Sequence, residues 1–200
     1  TYSQLVGNQF QITGVLSVEQ RKALLDQTDF KWVKTDDVYF SNNPLLPEDF
    51  ASKPFKNHKL AKFELRTKIY FGTKYISRPD AKIVSRSAKF PIISINATSA
   101  FAGSSKDFEY QKLELGLSYK LDLSNMGNIN INGKAGKFFN ADRISFVDYN
   151  HFNGNQTHVG VGETYLDVFN MMPYYSLGTN ISFGEIHAEY NDNGFFISKI

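Results

Sequence analysis

Residues 59–71 read KLAKFELRTKIYF, and apolar and charged side chains alternate along the whole stretch. One face of such an extended chain carries Phe63, Leu65, Thr67, Ile69 and Phe71. The other face carries Lys62, Glu64, Arg66, Lys68 and Tyr70. A period of two is typical of a β-strand, because successive side chains of a strand point to opposite faces. We therefore predict a strand over residues 59–71.

The same pattern recurs over residues 108–123, where a second long strand is predicted. Its apolar face carries Leu113, Leu115, Leu117, Tyr119, Leu121 and Leu123. Its polar face carries Glu114, Gly116, Ser118, Lys120 and Asp122. Both runs are longer than the strand of about five or six residues that is usual in soluble proteins. Both reach the roughly 9–11 residues that a tilted strand needs to cross a bilayer.

Weaker alternation predicts further strands over residues 9–16, 91–101, 128–138, 163–175 and 181–190, and from residue 195 onward. After residue 16, Ser17-Val18-Glu19-Gln20 has the form of a helix capping box, so a short helix over residues 21–25 and an extension of the strand are both open. Residues 102–106, 124–127 and 191–194 are short and rich in turn-forming types, which indicates hairpins. Longer connections are predicted at residues 41–57, 72–90 and 140–162. The predicted fold class is an all-β antiparallel meander.

The composition narrows the class of protein. Aromatic residues make up 15% of the chain, yet the mean hydropathy is −0.34, so apolar residues are interleaved with polar ones. No apolar stretch of about 20 residues exists, so any membrane crossing must use strands. The net charge of +2 comes from scattered acids and bases and gives no footprint for nucleic acid. There is no Cys, which excludes disulfides and thiolate chemistry.

The cost of a charge in lipid predicts the orientation of the strands. One cation that faces lipid near the bilayer midplane costs about 2–4 kcal/mol. The side chains expected to face lipid are therefore Phe63, Leu65, Ile69, Leu113, Leu115, Leu117 and Tyr119. Those expected to face a hydrated lumen are Lys62, Glu64, Arg66, Lys68, Glu114 and Lys120. The alternative is a soluble β-sandwich whose apolar face fills a core, and alternation is equally compatible with it.

No constellation of residues predicts catalysis. His151, His158, Asp148 and Glu163 are candidate metal ligands by type, but their spacing matches no ligand template, so we expect no metal. His187 shares a strand face with Glu185 and Glu189 and is expected to be a hydrogen-bonding residue of the lumen. No serine lies in a glycine elbow and no glycine-rich phosphate loop occurs, so neither a catalytic residue nor a cofactor is predicted.

Residues 169–175, FNMMPYY, form an aromatic and methionine cluster around Pro173. The cluster fits either a surface that docks a partner at the membrane interface or simple apolar filling. Because proline cannot donate to a β-ladder, Pro173 predicts a strand edge, a bulge or a strand end.

Several segments resemble a family of bacterial proteins. They are FVDYNHFNGN at 146–155, FNMMPYY at 169–175, HAEY at 187–190 and GFFISKI at 194–200, with LDQTDFKW at 25–32, SNNP at 41–44, YISRPD at 75–80 and KFP at 89–91. Together they resemble the C-terminal barrel of a Bacteroidota outer-membrane family of unknown function that carries an N-terminal carboxypeptidase-regulatory-like domain. The resemblance implies that residues 1–200 are one unit of an outer-membrane β-barrel, with more strands after Ile200.

That family is distantly similar to the surface-antigen barrels that insert or export envelope proteins. The similarity implies a non-enzymatic role in envelope biogenesis, with the outer-membrane bilayer and other envelope proteins as partners. In those relatives a long loop folds into the lumen, and the corresponding residues here are His151, Phe152, Asn153, Gly154 and Asn155. No Arg-Gly-aromatic tripeptide follows them, which departs from the pattern of the relatives. A passive channel or uptake barrel and a soluble β-sandwich binding module are the alternative functions.

Overall fold

The computed structural model describes residues 1–7, 9–24, 43, 46, 55–77, 79, 82–85, 87, 89–155, 167–173 and 175–192. The strands within these ranges are β1 (Tyr2–Val6), β2 (Phe10–Arg21), β3 (His58–Tyr70), β4 (Lys74–Ser77), β5 (Lys82–Ser85), β6 (Ile92–Phe101), β7 (Tyr110–Asp122), β8 (Asn128–Phe139), β9 (Gly154–Asn155), β10 (Phe169–Asn170) and β11 (Ser182–Asn191). Single turns of 3-10 helix cover Lys106–Phe108, Ser124–Met126 and Phe146–Asp148. In this part of the chain, no helix is both long enough and apolar enough to span a bilayer.

Seven of these strands form one sheet in the order β1-β2-β3-β6-β7-β8-β11. Every neighbouring pair is antiparallel, and the order in the sheet follows the order in the chain. The hairpin β4–β5 lies within the connection from β3 to β6, and the short parallel pair β9–β10 lies within the connection from β8 to β11. The predicted all-β antiparallel meander is confirmed.

Most of the predicted strands are present within one or two residues at each end. The strands predicted over residues 59–71 and 108–123 correspond to β3 and β7. Those predicted over residues 91–101, 128–138 and 181–190 correspond to β6, β8 and β11. The strand that begins at Phe10 continues to Arg21, whose backbone pairs with His58, so the strand extension was the right alternative and the helix the wrong one. The prediction from residue 195 onward lies outside the described residues.

The strand predicted over residues 163–175 was wrong for the residues that the structure describes there. Within 167–173 and at Tyr175, only Phe169–Asn170 is a strand. Met171 and Tyr175 have positive φ angles of 66° and 64°, and Pro173 lies between them without a backbone N–H to donate. This backbone turns repeatedly and cannot continue a ladder. The β1 strand was not predicted, since Tyr2–Val6 shows weak alternation.

The pairing register gives the sheet two chemically different faces. One face, which we call the apolar face, carries Phe63, Leu65, Leu113, Leu115, Leu117 and Ile186. The opposite face, which we call the polar face, carries Lys62, Glu64, Glu114, Lys134 and Glu185. Leu65, Leu115 and Ile186 are 39%, 52% and 72% exposed. The Lys62 and Glu185 side chains are only 13% and 7% exposed. Exposure is therefore the reverse of the pattern in a soluble protein, where apolar side chains are covered and charges are not.

The buried core lies on the polar face, at one end of the sheet. Strands β3, β6, β7, β8 and β11 contribute Leu60, Ala100, Tyr110, Phe138 and Phe183. The connection from β8 to β11 adds Ala141 and Ile144, with Tyr149 and Phe152 packed against the cluster. A chain segment between strands thus covers this end of the polar face.

Gly136 is expected to be essential for this core. A Cβ at Gly136 would lie 2.7 Å from Cε1 of Phe183 and 2.9 Å from the carbonyl oxygen of Leu113. Gly136→Ala should therefore lower the free energy of unfolding by about 1–3 kcal/mol through overpacking. Gly184 on the neighbouring strand is the matched control, because a Cβ there meets nothing within 4 Å. Urea titration of both variants checks the difference, and equal stabilities would contradict the packing described here.

Candidate functional site

Residues 141–152, which we call the inserted segment, fold onto the polar face of the sheet. Ala141 and Ile144 are buried in the core, and Phe152 packs against it. The Asn180 side-chain amide donates to the carbonyl of Ala141 at 2.8 Å. The backbones of Asn150 and Thr179 exchange two hydrogen bonds of 2.8 and 3.1 Å. The inserted segment is thus fixed by apolar packing and by residues that lie just before β11.

Asp148 joins the inserted segment to three strands of the sheet. Its side chain is 1% exposed and lies within the 3-10 turn Phe146–Asp148. Its Oδ1 accepts from Lys62 Nζ at 2.7 Å, from Tyr110 Oη at 2.9 Å and from Arg21 Nη2 at 3.0 Å. Arg21 Nη1 makes a second contact, to Oδ2. We call Asp148, Arg21, Lys62, Tyr110 and the neighbouring Glu19 the anchor cluster.

Charge neutralisation explains why this carboxylate tolerates burial. Burial by itself raises the pKa of Asp148, but the hydrogen bonds and charges of Arg21 and Lys62 outweigh it and hold the pKa below its ordinary value. Glu19 adds an acid next to the cations, at 2.6 Å from Arg21 Nη2 and 3.6 Å from Lys62 Nζ. The cluster therefore contains two acids and two bases, so neither sign is left unpaired.

The anchor cluster is expected to weaken in acid. Because the pKa of Asp148 is lower in the folded chain than in the unfolded chain, its contribution to stability is complete above the unfolded value near 4. That contribution is lost as the pH falls through the folded value. Protection of the inserted segment against proteolysis should therefore be constant from pH 7 to pH 5 and fall below pH 4. The Asp148→Asn variant should not show this acid-dependent loss of protection. An acid profile equal to that of the wild type would contradict the assignment to Asp148.

Several other charges of the polar face are paired, either within one strand or between neighbouring strands. Lys112 lies 3.5 Å from Glu114, which also accepts from Asn96 at 3.0 Å. Lys134 lies 3.0 Å from Glu185. All six side chains for which a lumen-facing position was predicted share this face: Lys62 in the anchor cluster, Glu64 and Arg66 as an ion pair, Glu114 as above, and Lys68 and Lys120 exposed. The side chains for which a lipid-facing position was predicted share the opposite face.

The five predicted loop residues continue from the end of the inserted segment into β9. Phe152 contacts the ring of Phe169, with centroids 5.9 Å apart. His151 Nε2 donates to the carbonyl of Phe146 at 2.7 Å. The amide of Asn153 donates to the carbonyl of Asp167 at 3.3 Å, and Gly154 and Asn155 form β9. They thus connect the inserted segment to β10.

The four residues considered as metal ligands are not brought together where the structure describes them. Asp148 is occupied by three donors, and His151 faces Phe146 and Tyr175. His158 and Glu163 lie outside the described residues. Over the described part of the chain, no three His, Asp or Glu side chains form a group that could hold a metal ion.

Sequence reasoning missed Arg21 and Tyr110 as partners of Asp148, and it gave His58 no role. His58 is buried, stacks on Phe108 at 4.0 Å and hydrogen-bonds to the carbonyl of Lys56. One signal was available, because Phe146-Val147-Asp148-Tyr149 places apolar side chains around an acid within a predicted polar loop. Such a loop must bury its apolar side chains, and an acid buried with them needs neighbouring cations to neutralise its charge.

A comparison with known families gives a match over the whole of the given sequence. The family model described as "Family of unknown function (DUF5686) C-terminal domain" matches residues 1–200. No curated protein matches the chain. No solved structure matches it either.

Proposed function

The chain belongs to the DUF5686 family of unknown function, of which it is a C-terminal domain, and on that premise we propose that it forms part of the wall of a β-barrel in a bacterial outer membrane. The apolar face contacts lipid and the polar face lines the interior. The source expected from the sequence resemblance is a member of the Bacteroidota. The proposed role is non-enzymatic: the barrel assists the assembly or export of other envelope components.

The exposed apolar face is the observation that carries this proposal. Its side chains continue across six adjacent strands, from Leu16 on β2 through Phe63, Leu115 and Ala135 to Ile186. Soluble monomers rarely expose a contiguous apolar patch of more than a few hundred Å². In a bilayer the same face is in its preferred solvent, because outer-membrane strands alternate apolar side chains outward with polar side chains inward.

The inserted segment supports an assembly role over a channel. An open pore needs a hydrated path along the polar face, whereas residues 141–152 cover one end of it and are bound to three strands by Asp148. Long loops that fold into the interior plug many barrels. The assembly role itself rests on the resemblance to envelope-assembly barrels.

Conductance separates the assembly role from the channel. The protein that contains this chain is reconstituted into planar bilayers, and current is recorded for the wild type and for Asp148→Ala. We expect a silent wild type and intermittent conductance in the variant, because the inserted segment is then released. A steady open pore in the wild type would favour the passive channel, for which the charged residues of the polar face would tune ion selectivity.

The cellular role is tested by depletion. Cells that lack the protein should retain normal amounts of outer-membrane lipid and lose specific envelope proteins, measured by quantitative mass spectrometry of the membrane fraction. Complementation with the wild type should restore those proteins. An unchanged envelope proteome, together with loss of uptake of a small solute, would overturn the assembly role in favour of the uptake barrel.

A further inference from the structure

Two lysines are the only charged residues on the apolar face of the seven strands that form the described sheet. Lys59 on β3 pairs with Gln20, and Lys137 on β8 pairs with Leu113. Both side chains are exposed. No Asp or Glu lies on this face of the same strands, whereas the polar face carries charges of both signs. The charge of the apolar face is therefore of one sign.

Both lysines lie where the apolar run of their strand stops, toward the end of the sheet that holds the buried core. We call this end the core end. On five strands the run stops there at a polar side chain, and these boundary residues are Gln20, Lys59, Gln111, Lys137 and Ser182. The boundary does not follow a pairing row. The row of Gln20 crosses β3 at Lys59, but the row of Ser182 crosses β3 at Leu65, six residues away.

The oblique boundary gives the tilt of the strands. Six residues at about 3.3 Å each, over the five strand spacings from β2 to β11 at about 4.8 Å each, correspond to an angle of about 40°. Strands of outer-membrane barrels are tilted by about 35–45°. A sheet tilted in this way brings the five boundary residues to one depth, so the boundary is parallel to the surface of a bilayer.

The Lys137 side chain points away from the apolar run of its strand. Its Nζ lies over the ring of Phe139, at 5.7 Å from the centroid, and Phe139 is the next residue of this face toward the core end. Long cationic side chains adopt this arrangement at the limit of an apolar layer, because the alkyl stem stays on apolar surface while the ammonium reaches polar surroundings. The ammonium thus extends beyond the boundary, on the side where headgroups lie if the apolar face contacts lipid.

We infer that Lys59 and Lys137 belong to a belt that binds the phosphates of anionic lipid headgroups along the core end of the apolar face. The belt rests on the proposed contact between this face and lipid, and it specifies the headgroup chemistry and the edge at which the headgroups bind. Phosphate oxygens accept charge-assisted hydrogen bonds from ammonium groups. One lysine close to an anionic lipid surface contributes about 1 kcal/mol, which is about fivefold in local enrichment.

Quenching by nitroxide-labelled lipid tests the belt locally. The protein that contains this chain, with Leu113→Cys as its one cysteine, carries a bimane label next to Lys137. It is reconstituted in mixtures of phosphatidylglycerol and phosphatidylcholine, and either lipid in turn carries a nitroxide on its acyl chain. We expect phosphatidylglycerol to be enriched about fivefold at this label. Lys137→Gln should abolish the enrichment.

Lys120→Gln is the matched control variant, because it removes an exposed cation from the polar face of β7. It should retain the enrichment. A label at Leu121→Cys, at the opposite end of β7, should show no enrichment, since the apolar face has no charge there. Equal quenching by the two lipids at Leu113, enrichment that persists in Lys137→Gln, or its loss in Lys120→Gln would each overturn the belt while leaving the lipid contact in place. Quenching by neither lipid at Leu113 and Leu121 would overturn the lipid contact and the belt together.

The depth of spin labels provides a second measurement that does not depend on the headgroup. Labels at Lys59→Cys and Lys137→Cys should lie at the same depth, next to the headgroups. A label at Leu65→Cys should lie near the midplane, about 15 Å from the belt along the bilayer normal, although Leu65 and Lys137 share a pairing row. Equal depths for Leu65→Cys and Lys137→Cys would overturn the belt, because the boundary would then cross the bilayer obliquely.

Discussion

Replacement of Asp148 by Asn is expected to release the inserted segment, with a loss of about 3–5 kcal/mol in the free energy of opening. The loss is large because the amide leaves Arg21 and Lys62 as partly buried cations without their main counter-charge. Hydrogen exchange of the backbone amides of Asp148 and Asn150 measures it, since both amides are bonded in the closed arrangement. Their exchange should rise by about 100- to 4,000-fold, since each 1.4 kcal/mol is a factor of ten.

Two control variants show whether the effect is specific to the buried carboxylate. Glu19→Gln removes the other acid of the cluster, whose side chain is 33% exposed, and should cost about 0–1 kcal/mol. Asp142→Asn changes an exposed acid of the same segment and should stay within about 0.5 kcal/mol of the wild type. Equal exchange rates in Asp148→Asn and Asp142→Asn would contradict the role given to the anchor cluster.

The second large effect is expected from a charge on the apolar face. Leu115 lies near the middle of β7, between Ile95 and Ala135. Leu115→Arg should make folding into a bilayer less favourable by about 2–4 kcal/mol. The reason is the cost of a guanidinium in hydrocarbon. Urea titration of the protein in lipid vesicles measures this loss.

Ser118→Arg is the matched control, because Ser118 is on the same strand, is exposed and belongs to the polar face. It should change the stability by less than about 0.5 kcal/mol. If instead Leu115→Arg is as harmless as Ser118→Arg, the apolar face contacts water, and a soluble protein with an unusual surface is the better description.

The sheet could be predicted from the sequence because its information is local. Along β3 and β7 the type of each residue indicates on which face of the sheet its side chain lies. The short turns between β6, β7 and β8 make consecutive strands neighbours in the sheet. The C-terminal end of β2 was ambiguous because Ser17 and Glu19 suit both a helix cap and the polar face of a strand. The pairing of Arg21 with His58 shows that this stretch is a strand.

The anchor cluster could not be predicted, since its members are separated by long stretches of chain. Arg21 and Asp148 are 127 positions apart, and neither residue indicates its partner. Glu185 and His187 were predicted to share one strand face, and the register places both on the polar face. Residues 163–175 show the opposite error: a strand was predicted from a weak pattern, but in the described part of this stretch positive φ angles at Met171 and Tyr175 break the ladder.

The contact between the apolar face and lipid is tested most directly by site-directed spin labelling. Residues 1–200 contain no Cys, so single cysteines can be placed at each position from Leu113 to Leu121 in the protein reconstituted in vesicles. We predict that accessibility to oxygen is high at Leu113, Leu115, Leu117, Tyr119 and Leu121, and that accessibility to a water-soluble nickel complex is low there, with the reverse at the positions between. High accessibility of the odd-numbered positions to the nickel complex would contradict the account.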